Sequence, residues 1–168
     1  LGESPAVLIL GSMPSAKSLE HQQYYAHPQN AFWWIMSELL DFDPLEPYDV
    51  RAGLLKQKNI AVWDVIQVCH RPGSLDSAID TTSIQANDFS ELLGENSAIK
   101  LVVFNGQAAQ KIFKKHLLLN RTEDNETADR GINKYAGDFL VMPSTSPANA
   151  ATSRAMKLEH WRALSAYL

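Results

Sequence analysis

The sequence predicts an α/β fold, a three-layer α/β/α sandwich around a central four-stranded parallel sheet. Four short runs are rich in Val, Ile, Leu or Phe and do not alternate with polar residues, which is typical of strands buried on both faces. These runs are residues 6–10, 60–65, 100–104 and 139–142. Helical patterns separate them, and strand–helix–strand alternation favours right-handed crossovers between parallel strands.

Five stretches place apolar residues at helical spacing. They are residues 31–40, 50–57, 83–93, 107–117 and 152–168. In the first stretch Phe32, Ile35, Met36 and Leu39 share one face. The third stretch follows a Thr-Thr-Ser run at 81–83, whose hydroxyls favour a helix start. We find no internal repeat and no linker, so a single domain over residues 1–168 is expected.

Composition places the chain among ordinary globular proteins. Apolar residues make up 45% and charged residues 20%. The apolar runs are too short to span a membrane, and the first residues lack a basic segment followed by a signal core. Cys69 is the one cysteine, which fits a reducing compartment, so we expect a cytoplasmic protein. Residues 120–137 are polar and predict a surface excursion of undefined role.

The net charge of −4 argues against a broad electrostatic grip on nucleic acid. It does not exclude DNA, because a local basic rim can act where the average is acidic. The basic side chains in or near the predicted site loops are Lys17, His21, His27, Arg71, Arg154 and Lys157.

Small and polar residues follow three of the four predicted strands. The first strand leads into residues 11–36, the third into 104–107 and the fourth into 143–149. The carboxyl ends of parallel strands are where open α/β sheets bind their ligands. Prolines and exposed backbone N–H groups suit close approach to a phosphate or a carbonyl-rich ring, although such compositions are also typical of plain loops.

Missing motifs narrow the chemistry. The chain has no Gly-x-Ser-x-Gly nucleophile elbow, and the turn at 11–15 lacks the lysine of a P-loop and the glycines of a dinucleotide site. No Cys and His residues have the spacing of a zinc site. We therefore expect a site without metal or cofactor, built from amides, hydroxyls, aromatic rings and one histidine.

Four motifs give the chain a recognisable pattern. They are GSMPS at 11–15, QYYAHPQNAFW at 23–33, FNG at 104–106 and PSTSPAN at 143–149. With this set the chain resembles the uracil-DNA glycosylase superfamily, and most closely its hypoxanthine-DNA glycosylase (DNA-deoxyinosine glycosylase) branch. The block at 25–33 is also similar to the mismatch-specific uracil glycosylases. The motifs are spread over nearly the whole chain.

The resemblance implies a monofunctional DNA glycosylase that flips a deaminated base out of double-stranded or single-stranded DNA. It would then hydrolyse the N-glycosidic bond, without a cofactor and as a monomer. Many superfamily members carry Asp or Asn in the first turn, whereas this chain has Ser12 and Met13. Met13 cannot orient water. The resemblance therefore implies that Asn30 holds the water and that Asn105 assists, making these two the catalytic residues.

The remaining roles are also implied by the resemblance. Tyr25 would stack on the flipped base, and backbone N–H groups of the Gly11 turn would stabilise its developing negative charge. His27 belongs to the predicted base-binding set, although a histidine before proline can simply brace the loop. Asn30 and Asn105 can each instead cap the helix that follows. The base-binding set is Gly11, Ser12, Met13, Tyr25 and His27, and the DNA-binding set is Pro14, Ser15, Ser144, Thr145, Ser146, Pro147, Ala148 and Asn149.

Three other interpretations stay open. The enzyme could act on uracil or another deaminated purine, because selectivity depends on a few hydrogen bonds inside the pocket. A nucleic-acid-binding module without cleavage fits the absence of an acid from the first turn. A small-molecule α/β hydrolase is disfavoured by the missing nucleophile.

Asp64, at the end of the second strand, could contact a donor on the base, but we do not include it in the predicted site.

Overall fold

The computed structural model describes residues 4–119 and 135–168. The described elements, in chain order, are β1 (Val7–Gly11), α1 (Ala16–His21), α2 (Phe32–Leu40), α3 (Tyr48–Gln57), β2 (Ile60–Asp64), β3 (Ile66–Val68), β4 (Gln85–Ala86), α4 (Phe89–Glu95), β5 (Leu101–Asn105), α5 (Gln107–Leu119), β6 (Asp138–Met142) and α6 (Arg154–Trp161). Two 3₁₀ turns lie at Asp76–Ala78 and Arg162–Ala166. Most of the predicted excursion at 120–137 lies outside the described residues.

The central sheet has four parallel strands in the order β2-β1-β5-β6, which confirms the predicted fold class. The strand limits differ from the predicted ones by at most one residue. Every residue of β1 and of β5 is buried. These strands are continuously apolar because helices cover both faces of the sheet.

Alternate side chains of the buried strands pack into two separate hydrophobic clusters. On one face Val7 and Ile9 of β1 pack in a cluster with residues of α2 and α6, including Phe32 and Trp161. On the other face Leu8 and Leu10 pack in a cluster with residues of α4 and α5, among them Phe89, Leu92 and Phe113. This division follows from the period of two in a strand, and it produces the three-layer sandwich.

Three of the predicted helices begin at least two residues from the predicted start, and one of them, α3, begins at Tyr48 instead of residue 50. The helix predicted over 83–93 begins at Phe89, because the carboxylate of Asp88 caps it by accepting the N–H of Glu91 at 3.0 Å. The residues before it form β4, which pairs antiparallel with β3. The last helix begins after Ser153, whose hydroxyl accepts the N–H of Met156, and it becomes a 3₁₀ turn beyond Trp161.

Helix α1 is an addition to the predicted elements. The hydroxyl of Ser15 caps it by accepting the N–H of Ser18 at 3.2 Å. The helix has six residues, too few for a clear apolar period in the sequence.

Among the described helices, none combines the length and apolar character that crossing a membrane requires.

The strand register aligns three strand ends at one edge of the sheet. Gly11 pairs with Asp64 of β2, and Leu10 pairs with Phe104, so Asn105 ends β5 beside Gly11. The chain leaves β1 toward β2 on one side and leaves β5 toward β6 on the other. Such a reversal between neighbouring strands opens a crevice at their carboxyl ends, and ligands of open α/β sheets bind there.

Gly106 is required where the loop after β6 approaches the end of β5. Its φ is +106°, and a Cβ built on it would lie 2.8 Å from Cβ of Ser144. We expect Gly106→Ala to lower the thermal midpoint by about 3–10 °C, because the substitution combines backbone strain with a clash. Gly53→Ala in α3 is the matched control, since a Cβ there meets nothing within 4 Å and Ala favours the helix. Equal midpoints for the two variants in a circular-dichroism melt would contradict this reasoning.

Candidate active site

A cavity of about 440 Å³ opens at the carboxyl edge of the sheet. Its volume lies within the roughly 300–1,000 Å³ typical of small-molecule sites. The wall is formed by residues from the 11–15 turn, the 24–30 loop, residues 74–77 and the 144–149 loop. All of the predicted site residues except His27 and Pro147 line this cavity.

The cavity floor is the row Asp64, Gly11 and Asn105, which comes from three neighbouring strands. Gly11 is needed in this row because a Cβ on it would collide with Oδ1 of Asp64. The same Cβ would lie 3.4 Å from the hydroxyl of Tyr25. The missing side chain therefore leaves room for the Asp64 carboxyl and the Tyr25 hydroxyl at the floor.

Asn30 lies at the cavity wall with its side chain held in one orientation. Its Oδ1 accepts the N–H of Phe32 at 3.0 Å, so the amide braces the start of α2. Its backbone N–H donates to the carbonyl of His27 at 2.8 Å, and the next N–H, from Ala31, donates to the carbonyl of Thr145 at 3.0 Å. A carbonyl oxygen has two lone pairs, so Oδ1 retains one for a further donor such as water. The capping role and the water-holding role are compatible.

Asn105 is committed to the loop that follows β6. Its Nδ2 donates to Oγ1 of Thr145 at 2.9 Å, and its Oδ1 accepts the N–H of Thr145 at 2.8 Å. Asn105 is 9% exposed and Thr145 is fully buried. The amide therefore fixes one wall of the cavity. The hydroxyl and N–H of Thr145 face Asn105, so this arrangement gives no support to its predicted contact with DNA.

Tyr25 places an aromatic ring against the cavity. The ring stacks on Phe32 with centroids 4.0 Å apart and planes inclined by 25°. Its φ of +55° is uncommon for a residue other than glycine. The hydroxyl is buried without a hydrogen-bond partner among the described residues. Burial raises the pKa of this phenol, and the nearby Asp64 carboxyl raises it further, so the group is neutral.

His27 acts within its own loop. Its Nδ1 accepts the N–H of Gln29 at 3.2 Å, which matches the bracing role considered from the sequence. Pro147 is exposed, at the outer side of its loop. Neither residue lines the cavity, so their predicted contacts with base and DNA stay predictions.

The 144–149 loop is braced internally and from below. Hydroxyls of Ser144 and Ser146 accept the N–H groups two residues onward, each at 3.2 Å. Nδ2 of Asn149 donates to the carbonyl of Ser144 at 3.1 Å. The buried Lys157 donates to the carbonyl of Ser146 at 3.0 Å. This bonding makes the loop a rigid rim.

Residues 74–77 form a wall that sequence reasoning missed. The hydroxyl of Ser12 donates to Asp76 at 2.7 Å, and the N–H of Ala16 donates to the hydroxyl of Ser74 at 2.9 Å. The guanidinium of Arg71 donates to the carbonyl of Pro14. These bonds tie the segment to the first turn. The available signal was the polar run at 70–77, which follows β3.

Asp64 is the second group that sequence reasoning left out. It is 6% exposed, and its Oδ2 is buried without a hydrogen-bond partner among the described residues. It forms no ion pair within the described part of the chain. Burial raises the pKa of Asp64 to about 7, the charge of Asp76 adds to this rise, and Arg71 opposes it. Its pairing with Gly11 in the sheet is what brings this carboxyl into the floor.

The donor groups of the cavity do not form a metal site. Within residues 4–119 and 135–168, no three His, Cys, Asp or Glu side chains come together to hold a metal ion. Ser12 and Met13 also line the cavity. In the described hydrogen-bond network, the N–H groups of Ser12 and Met13 donate to no other residue.

Comparisons with known proteins agree with the motifs. The family model described as Uracil DNA glycosylase superfamily matches residues 1–166. A protein of Methanosarcina acetivorans named hypoxanthine DNA glycosylase is 33% identical over 165 residues, covering 98% of this chain and 92% of that protein. A protein of the same name from Methanosarcina barkeri is 37% identical over 108 residues, covering 64% of this chain and 67% of that protein.

A solved structure shares the fold. A solution NMR structure from Methanosarcina acetivorans, of a protein provisionally assigned as a uracil DNA glycosylase, matches with a TM-score of 0.74 and 32% identity. The match covers 98% of this chain and 91% of the other. These similarities confirm the resemblance that the four motifs predicted: the chain belongs to the uracil DNA glycosylase superfamily.

Proposed function

We propose that the chain is a monomeric, cytoplasmic DNA glycosylase that releases a deaminated base, foremost hypoxanthine from deoxyinosine, and leaves an abasic site. The relatives named hypoxanthine DNA glycosylase support the reaction class. The observation that carries the proposal is the cavity at the strand ends, which combines an aromatic ring, free backbone donors and an oriented amide. Release of a flipped base requires a surface for stacking, hydrogen-bond donors for its carbonyl, and a water near its sugar.

Base entry comes first. The target must leave the helical stack, which costs a few kcal/mol and is easiest at a mismatched or damaged pair. Tyr25 then presents its ring to the base, with Phe32 supporting it from behind. The unpaired N–H groups of Ser12 and Met13 are available to the base carbonyl. As the bond breaks, negative charge grows on the base, and one such donor is typically worth about 3 kcal/mol.

The nucleophile is water held by Asn30. The bond from the N–H of Phe32 fixes the direction of Oδ1, so the remaining lone pair points in a defined direction before substrate arrives. An amide cannot accept a proton at neutral pH. Asn30 therefore orients the water without acting as a base, and the reaction relies on the positive charge that develops on the sugar. Asn105 supports this arrangement through Thr145.

The DNA backbone meets the rim of the cavity. Ser144, Ser146, Ala148 and Asn149 lie on the rigid 144–149 loop, and Pro14 and Ser15 lie on the facing turn. These groups offer hydroxyls and amides to phosphates without a large positive charge, consistent with the net charge of −4. We expect modest affinity that depends little on salt.

The proposed activity is tested by a base panel. The protein is incubated with duplex and single-stranded oligonucleotides containing inosine, uracil or xanthine, and abasic sites are cleaved with alkali. Strand breaks at inosine are expected, because the relatives of this chain are named hypoxanthine DNA glycosylase. Breaks at uracil alone would select the uracil-specific alternative. No breaks with retained binding would select a binding module.

Asn30→Ala is expected to slow single-turnover base release by about 100-fold or more, because the water loses its oriented acceptor. The variant also loses a capping bond, which costs about 1 kcal/mol and lowers the thermal midpoint by a few degrees. Asp88→Ala is the matched control, since it removes the cap of α4 away from the cavity and should leave release unchanged. Wild-type release by the Asn30 variant would falsify the water-holding role.

Tyr25→Ala is expected to weaken lesion binding and turnover together by about 5–150-fold, because stacking on a base is worth about 1–3 kcal/mol. Tyr25→Phe keeps the ring and removes a hydroxyl that has no partner, so it should retain most of both. Measured binding and single-turnover rates compare the two variants. A loss in Tyr25→Phe as large as in Tyr25→Ala would show that the hydroxyl, and not the ring, is the important group.

A further inference from the structure

We propose that Asp64 is the general acid of this reaction, a neutral carboxyl that gives its proton to the departing base. The inference rests on the proposed function and assigns a catalytic residue that lies outside the four sequence motifs, including the turn at 11–15. It follows from the place of Asp64 in the floor, its burial and the lack of any partner for its carboxyl.

The geometry puts the carboxyl where the base must lie. Asp64 pairs with Gly11 in the sheet, and its Oδ1 occupies the space that a side chain on Gly11 would need. The donors proposed for the base carbonyl follow immediately at Ser12 and Met13. A base held by those donors therefore rests against Asp64. At 6% exposure, the carboxyl has little contact with solvent other than through the cavity.

The surroundings favour the neutral acid. A buried carboxylate requires an ion pair or several hydrogen bonds, and Asp64 has neither within the described residues. The groups that face it are Arg71 and Asp76 from the segment after β3, and the phenols of Tyr24 and Tyr25 from the second loop. Arg71 is the single cation among them, and its guanidinium donates to the carbonyl of Pro14. The resulting pKa of about 7 lets the acid hold a proton at neutral pH and release it.

The chemistry also requires the neutral form. The base departs with the electron pair of the glycosidic bond, and a carboxylate at contact distance would repel it. In the proposed step the O–H bond of Asp64 breaks and its proton bonds to a nitrogen or oxygen of the base. Water held by Asn30 then adds to the sugar cation and loses a proton, and the Asp64 carboxylate recovers one from solvent. Charge and atoms balance without another reactant.

The test is a pH profile of single-turnover release from inosine duplex, between about pH 5.5 and 8.5. The wild-type rate constant should be constant at low pH and fall about tenfold per unit above the pKa of Asp64. Asp64→Asn keeps a hydrogen-bond donor in a side chain of similar shape, but its amide has no acidic proton to transfer. This variant should be at least tenfold slower at pH 6 and independent of pH. Asp88→Asn, an exposed carboxylate on α4, is the control for an unspecific charge effect.

Two results would overturn the proposal. A variant profile identical to that of the wild type would show that Asp64 is only structural. A pH-independent variant that matches the wild-type rate at pH 6 would show that hydrogen-bond donation suffices without proton transfer. If the wild-type protein releases no base from any substrate, the proposed function fails as well.

A thermal measurement separates those failures. The raised pKa means that ionising Asp64 costs stability in the folded protein, so this cost grows as pH rises from about 4 to about 7 and is constant above that. Asp64→Asn removes the cost. Its thermal midpoint relative to wild type should therefore be several degrees higher at pH 8 than at pH 5. An equal difference at both pH values would overturn the neutral carboxyl, whatever the activity of the protein.

Discussion

The paired hydrogen bonds between Asn105 and Thr145 are the contact on which the site depends. They join the end of β5 to the loop after β6, and Gly106 permits the close approach. Through the carbonyl of Thr145 the same contact reaches the start of α2, where Asn30 is oriented. One buried amide therefore positions the rim and, through Thr145, the start of α2 beside Asn30. Both polar atoms of the Asn105 amide bond to Thr145, so its contribution to the site is the position of this loop.

The site assigns different tasks to groups that look alike in the sequence. The amide of Asn30 is fixed by one bond and retains a lone pair, whereas the amide of Asn105 is committed to Thr145. The exposed Asp76 accepts a hydrogen bond from Ser12, whereas Asp64 is buried and unpartnered. Because solvation and pairing control what each group can do, a first turn without an acid does not mean a cavity without a carboxyl, since Asp64 lines it.

The sequence predicted the sheet well because burial on both faces gives a strong local signal. The limits of β1 and β5 differ from the predicted ones by one residue. The start of the helix predicted at 83–93 was wrong because a hydroxyl-rich run can form a turn as readily as a cap, and the pairing of β3 with β4 is non-local. Asp64 was considered from the sequence but not included in the predicted site, because its place beside Gly11 depends on strand register, which a single strand's sequence does not contain.

In the proposed reaction, a base extruded from DNA rests on the floor formed by Asp64, Gly11 and Asn105. A crystal structure with a duplex containing 2′-fluoro-2′-deoxyinosine, whose glycosidic bond resists cleavage, tests it directly. We expect the hypoxanthine ring against Tyr25, its edge within hydrogen-bond distance of the Asp64 carboxyl, and an ordered water on Oδ1 of Asn30 facing the sugar. A base that stays stacked in the duplex, or that lies outside this cavity, would contradict the account.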